Sequence, residues 1–141
     1  MLAKAKEKAK KEGLNNVEFV TGDILTVELP HHCFDLIFSS LAVTHIPDLN
    51  SLFHRLQTSL KPDGQIIITD IHPCFKQLGA SVGYIQDDTF IQLDHHIHTV
   101  TDYFEAAIKN NLRVKRVLEF PSETIVPYFI AVSLANNLAE K

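Results

Sequence analysis

Phe34-Asp35-Leu36-Ile37-Phe38-Ser39 and, further on, Gln65-Ile66-Ile67-Ile68-Thr69 decide how this chain folds. Each is a short, mostly apolar run bounded by loops, and the second is rich in β-branched residues. Both read as strands buried on two faces. Between them, Asp48 follows Pro47 and suits a helix N-cap. Leu49, Leu52, Phe53, Leu56 and Leu60 then recur at i, i+3, i+4, i+7 and i+11, which makes one apolar helical face. Lys61-Pro62-Asp63-Gly64 stops that helix. Strand, helix, strand in this order is a parallel pair joined by a helical crossover.

Working outward, the lysine- and alanine-rich opening predicts a solvated helix from Leu2 to a stop at Gly13, with Glu7–Lys11 as a favourable i,i+4 pair. Val17-Glu18-Phe19-Val20 reads as a short strand running into Thr21-Gly22-Asp23. Residues 26–32 form a loop, and His31-His32-Cys33 leads from it into the next strand. Residues 71–98 are less regular. Thr99 with Asp102 fits a capping box, and Val100, Phe104, Ala107 and Ile108 give a helical stripe that ends at Asn110-Asn111. Leu112–Phe120 and Ile125–Val132 read as strands joined through Pro121-Ser122-Glu123, a link too tight for a crossover, so they pair antiparallel.

The expected architecture is α/β: a Rossmann-like, mostly parallel sheet with helices on both faces and a C-terminal antiparallel hairpin. With 141 residues, no internal repeat and no dividing linker, the chain is one domain. Its parts are residues 1–70, an excursion over 71–98, and a final helix and strand pair over 99–141. Hydrophobic residues make up 45% and charged residues 21%, which excludes collagen-like, low-complexity and highly charged disordered classes. Net charge is −4, against a general nucleic-acid binder. The first twelve residues carry +3 and the rest −7. No apolar run is long enough to span a bilayer and no leader is evident, so no membrane partner is expected. Two cysteines, Cys33 and Cys74, are too few for a disulfide framework, and a cytoplasmic setting follows as the expectation.

The order of elements and the residues together resemble a class I S-adenosylmethionine-dependent methyltransferase acting on small molecules. Met1-Leu2-Ala3-Lys4-Ala5-Lys6 resembles the helix after that family's second strand. Val20-Thr21-Gly22-Asp23-Ile24-Leu25 resembles its adenine-contacting segment, and residues 34–45 its fourth strand and the loop lining the reaction centre. Leu60-Lys61-Pro62-Asp63-Gly64-Gln65 is similar to its turn into strand five, and Asp70-Ile71-His72-Pro73-Cys74-Phe75 to a subgroup with His-Pro after that strand. The Gly-rich donor loop has no counterpart, because the five glycines form no cluster, and Met1 falls just past where the acidic residue that binds the donor ribose would lie. The likeness is to an N-terminally truncated domain, its back two-thirds.

The resemblance implies S-adenosylmethionine as donor and a small-molecule methyl acceptor. It places Asp23 on the adenine amino group, Ile24 on the adenine ring, and Ser39 and Ser40 beside the donor's methionine part. On residue chemistry alone, Asp23 is equally an Asx-turn residue, and the serines are equally satisfied hydroxyls at a strand end. His45 and His72 follow the carboxyl ends of the two central strands, where ligands sit in open α/β sheets. Each is a catalytic candidate, able to deprotonate or orient an acceptor, or else a loop histidine bonded to backbone. Asp94, His95, His96 and His98 invite a metal reading, but no cysteine stands at ligand spacing and methyl transfer needs no metal, so none is expected. The alternative to an enzyme is a catalytically silent interaction or regulatory module derived from a methyltransferase. Without its first two strands the sheet has an exposed edge at Phe34–Ser39. A homo-oligomer covering that edge is expected, unless Val17–Val20 slides across to pair with it.

Overall fold

The computed structural model describes residues 2–79, 81–120 and 129–137. Its elements are α1 (Leu2–Lys11), β1 (Phe34–Ser40), a 3-10 turn (Val43–His45), α2 (Leu49–Ser59), β2 (Leu60–Ile71) and α3 (Pro73–Gln77). They continue with β3 (Gly83–Gln86), β4 (Thr89–Gln92), α4 (Val100–Lys109), β5 (Leu112–Phe120) and β6 (Phe129–Asn136). The main sheet runs β1-β2-β6-β5. β1 and β2 are parallel, while β6 is antiparallel to both of its neighbours. The β5–β6 pairing is thus the antiparallel one expected. The proposed turn at residues 121–123 and the start of the final strand at Ile125 lie outside the described residues, and β6 continues to Asn136.

Helix ends follow the sequence closely. Asp48 caps α2, its carboxylate accepting from the Ser51 backbone N–H at 3.1 Å and from the Ser51 hydroxyl. These bonds hold its carboxyl below the usual carboxylate range. The Thr99–Asp102 capping box is complete, with Asp102 N–H donating to Thr99 Oγ1 and Thr99 N–H to Asp102 Oδ2. α1 ends at Gly13, which takes φ +69°, with Leu14 N–H donating to Ala9 O. On α1 the ion pair is Lys8–Glu12 at 3.9 Å rather than Glu7–Lys11, and both side chains are exposed. Such a pair is worth little.

The core lies between β2, β6 and the helices α2 and α4. Leu49, Leu52, Phe53 and Leu56 are all buried, as the periodicity required. Leu60 is buried too, but it opens β2 rather than closing the helix. Its partner is Phe34, after which the register jumps to Leu36↔Gln65. Gly64 lies in this jump. A Cβ there would sit 2.6 Å from Leu60 Cδ1 and 2.9 Å from the Phe34 carbonyl, so the turn closes only around glycine.

Four expectations change. Val17–Val20 is not a strand, because within the described residues no strand lies beside it to complete a ladder. It has not slid across to β1 either, so among the described residues β1 has no partner on its outer edge. β1 is covered on one face only: Ile37 packs against the core, whereas Leu36 is 55% and Phe38 61% exposed. The covered face belongs to α2 and α4, which meet through the Phe53–Tyr103 ring contact. Finally, α4 buries Tyr103, Ala106 and Ala107, leaving Phe104 partly and Ile108 largely exposed. The helix is turned by one residue from the purely apolar stripe because the Tyr103 hydroxyl finds a partner inside.

The excursion at 71–98 contains a two-stranded hairpin that its composition did not announce. β3 and β4 pair with Gln86↔Thr89 as the last rung. Asp87 and Asp88 form the loop with φ of 47° and 60°, two successive left-handed residues that match the twist of a tight hairpin.

Candidate active site

Asp23 forms an Asx turn: its Oδ1 accepts from the Leu25 N–H at 2.9 Å, and its carbonyl accepts from Thr26 and Val27. The side chain is exposed, and its second oxygen has no protein partner among the described residues. Ile24, next to it, is half-buried against the core. This turn is held from α2 by Arg55, whose Nε donates to Ile24 O at 2.6 Å and whose Nη2 donates to Val27 O. Sequence reasoning missed Arg55, since a lone basic residue beside an apolar helical stripe carries no signal of what it will reach.

At the end of β1, Ser40 Oγ accepts from the Thr69 hydroxyl at 3.1 Å, and Ser39 is half-buried on the same strand. The chain then turns sharply at Leu41, which takes φ 52° while its N–H donates to Thr69 O. A non-glycine residue in that region is uncommon and costs about 1–2 kcal/mol. The strain delivers the 3-10 turn that ends in His45.

His45 is exposed and its Nδ1 lies 2.8 Å from Asp94 O. A carbonyl only accepts, so Nδ1 carries the proton and Nε2 keeps its lone pair for an incoming donor. His72 is placed differently. It is buried, its Nδ1 accepts from the Cys74 N–H, and its Nε2 donates to Glu119 Oε1 at 2.9 Å. The two histidines are thus tied to different neighbours, one to the strap at 94–98 and the other to β5. Of these two, His45 is the one with a ring nitrogen that has no protein partner among the described residues.

Near the end of β2 is a buried polar group that the sequence reading did not single out. Asp70 is fully buried, with Oδ1 accepting from the Ile71 N–H at 2.7 Å and Oδ2 facing the Tyr103 hydroxyl at 3.5 Å. Burial pushes the Tyr103 phenol far above its ordinary range, and the Asp70 carboxylate adds to the shift. The available signal was alternation, since Asp70 falls in step with the buried Ile66 and Ile68. His98, also buried, has Nε2 2.7 Å from Ile46 O and its ring edge-on to Tyr103. Among the described residues no three His, Cys, Asp or Glu side chains converge as a metal site.

The sequence matches the methyltransferase-domain family over residues 1–129. The chain belongs to that family. Phosphoethanolamine N-methyltransferase 2 of Caenorhabditis elegans is 38% identical over 69 residues, 49% of this chain and 16% of that one. Demethylmenaquinone methyltransferase of Listeria welshimeri serovar 6b is 30% identical over 70 residues, 50% of this chain and 30% of that one. The matches therefore span less than a third of these relatives. Among solved structures, an S-adenosylmethionine-dependent methyltransferase from Mesorhizobium loti superposes with a TM-score of 0.75. It is 23% identical, over 93% of this chain and 75% of that one, a likeness that establishes the α/β, Rossmann-like methyltransferase fold. Within that family fold, the loop after β1 and the strap at 94–98 meet around His45.

Proposed function

We propose that this chain takes part in S-adenosylmethionine-dependent methylation of a small molecule, with its parts divided into a donor side (1–70), an acceptor side (71–98) and a closing helix and strand pair (99–141). The observation that carries the reading is His45, held in one tautomer by Asp94 O with its second nitrogen uncommitted at the end of β1. The residues present fit the adenosine half of the donor, because Asp23 offers an unshared carboxylate oxygen beside a half-buried Ile24. The chemistry brought by that donor is an activated methyl group on a sulfonium sulfur.

In this reading Asp23 accepts from the adenine amino group and Ile24 packs on the ring. Ser39 and Ser40 flank the methionine part. His45 Nε2 would take up the proton that the acceptor atom gives up. His72, with both nitrogens engaged, orients the acceptor side rather than moving a proton. The protein's remaining work is alignment and exclusion of water. The reading includes a second copy of the chain over the open β1 edge, supported by the exposed Leu36 and Phe38. It also includes a cytoplasmic setting, supported by two exposed free cysteines, Cys33 and Cys74.

Calorimetric titration with S-adenosylmethionine and with S-adenosylhomocysteine tests the proposal. Saturable heat with both ligands is expected. No binding of either at millimolar ligand would leave a non-enzymatic module as the better account.

A further inference from the structure

A cavity of about 430 Å³ opens on the main sheet, lined only by residues of β2, β5 and β6. It lies on the face formed by the positions that alternate with the buried Ile66, Ile68, Val132 and Leu134. Its floor is apolar: Ile67, Ala131 and Leu118 come one from each strand, and Leu118 pairs with Ala131. Leu118 is 37% exposed.

The rim is cationic because β5 bulges. Val114 pairs with Leu134 and Arg116 with Ser133, which leaves Lys115 as the extra residue. In an unbroken ladder Arg116 would stand opposite buried Val132, a cation driven into the core. The bulge keeps Arg116 out and brings two consecutive cations to one cavity. Neither has an ion pair or a hydrogen bond with any of the described residues, whereas Lys61 pairs with Asp35 and Arg55 with two carbonyls. Glu119, the one carboxylate of β5, engages His72 instead, and no acidic side chain lines the cavity. Half-buried Ser133 completes the rim. Its Oγ accepts from Gln65 Nε2 at 2.7 Å, so its own proton is left for another acceptor.

We infer that this cavity binds a small organic carboxylate with an apolar body. The carboxylate sits among Lys115, Arg116 and the Ser133 hydroxyl, and the body lies on Ile67, Leu118 and Ala131. Two adjacent cations without counter-ions repel each other, and one carboxylate between them removes that cost while accepting charge-assisted hydrogen bonds. The floor adds the apolar area that the body takes out of water. An inorganic anion would use only the rim, and an uncharged ring only the floor. The volume is within the range of small-molecule pockets. No residue of this cavity belongs to the candidate active site, and the inference does not depend on the methyltransferase reading.

The test is an amide NMR titration of the full chain with 2-naphthoate. 2-Naphthol serves as the uncharged counterpart and acetate as the anion without an apolar body. 2-Naphthoate is expected to shift the amides of residues 65–67, 115–118 and 131–133 saturably, about tenfold more tightly than either control. Lys115→Gln and Arg116→Gln should each weaken it by about threefold and the double variant by about tenfold, as for exposed ion pairs. Added salt should weaken it as well. Both side chains are exposed, and unchanged amide positions in α2 and α4 will show that the variants keep the fold. The inference is overturned if 2-naphthol binds as tightly as 2-naphthoate, or if acetate does. A 2-naphthoate response that is absent, confined to the lysine-rich α1, or indifferent to the double substitution overturns it equally. So does a shift of the same amides with protein concentration alone, which would put a second copy of the chain on this face.

Discussion

Asp23 shows how one side chain can build a turn and, in the function proposed above, still have an oxygen for a ligand. One carboxylate oxygen builds the turn and the other faces solvent. Asp23→Ala removes both, and Asp23→Asn keeps the turn while removing the charge. We expect Asp23→Ala to weaken S-adenosylhomocysteine binding by about 1–3 kcal/mol by calorimetry, the usual loss for a charged acceptor. Unchanged affinity in a folded variant would take Asp23 out of the site. Tyr103 is the second residue whose chemistry reaches beyond its volume. Tyr103→Phe strips buried Asp70 Oδ2 of the hydroxyl that faces it and should cost about 1–3 kcal/mol in urea unfolding. The pH dependence has a definite sign. The folded phenol is raised above its ordinary value of 10.0, so above that pH the unfolded chain loses a proton that the folded chain retains. Stability contributed by Tyr103 is full below pH 10 and falls as pH rises past it, by about 1.4 kcal/mol per pH unit. In Tyr103→Phe that part of the alkaline slope should vanish.

At the scale of elements, the caps and the brace are the parts most open to test. Thr99→Ala removes the side-chain half of the capping box at the start of α4, next to buried His98, while the backbone N–H of residue 99 keeps its bond to Asp102. A loss of about 1 kcal/mol in thermal or urea unfolding is expected. Arg55 acts between elements, joining the middle of α2 to the Asp23 turn through two carbonyls. Arg55→Gln cannot span both. Hydrogen exchange at Thr26 and Val27 should speed up in that variant while exchange in β2 and β6 stays unchanged. If exchange in the turn is unaffected, Arg55 is not what holds it. The hairpin and α4 also show why local reading has a limit. Asp87-Asp88 gave no glycine to mark a tight turn, and Tyr103 was passed over because its hydroxyl counts as polar until Asp70 is placed beside it.

For the molecule as a whole, the asymmetry of the sheet is the dominant fact. α2 and α4 cover one face, while Leu36 and Phe38 are exposed and, among the described residues, β1 has no strand on its outer edge. Such an edge is a template for another strand. Light scattering at tens of micromolar should show a dimer or larger species, and Phe38→Lys should shift it to monomer. The monomer's own stability should change by no more than about 0.5 kcal/mol, as for other exposed positions. A wild-type chain that stays monomeric at high micromolar concentration would remove the second copy from the proposal.

Element identity was largely written in local chemistry. The apolar runs at 34–39 and 65–69, the α2 stripe from Leu49 to Leu56, the Asp48 and Thr99 caps and the Asn110-Asn111 stop depend on neighbours within a few residues, and each formed where the sequence placed it, although β2 starts at Leu60, before its apolar run. The family was legible for the same reason, since its motifs are local turns at workable spacings. What needed the tertiary structure was everything that depends on a partner far along the chain. Val17–Val20 has strand-like residues but no neighbour, and a ladder cannot be made by one strand alone. His45 and His72 looked alike in sequence, and only Asp94 O, Glu119 and the Cys74 N–H separate a histidine with a free nitrogen from one with none. A hydrogen bond at 2.8 Å between residues 45 and 94 leaves no trace in either segment. Its existence is decided by how the sheet and helices pack, and the difference between an exposed histidine with one ring nitrogen engaged and a buried histidine with both engaged is decided with it.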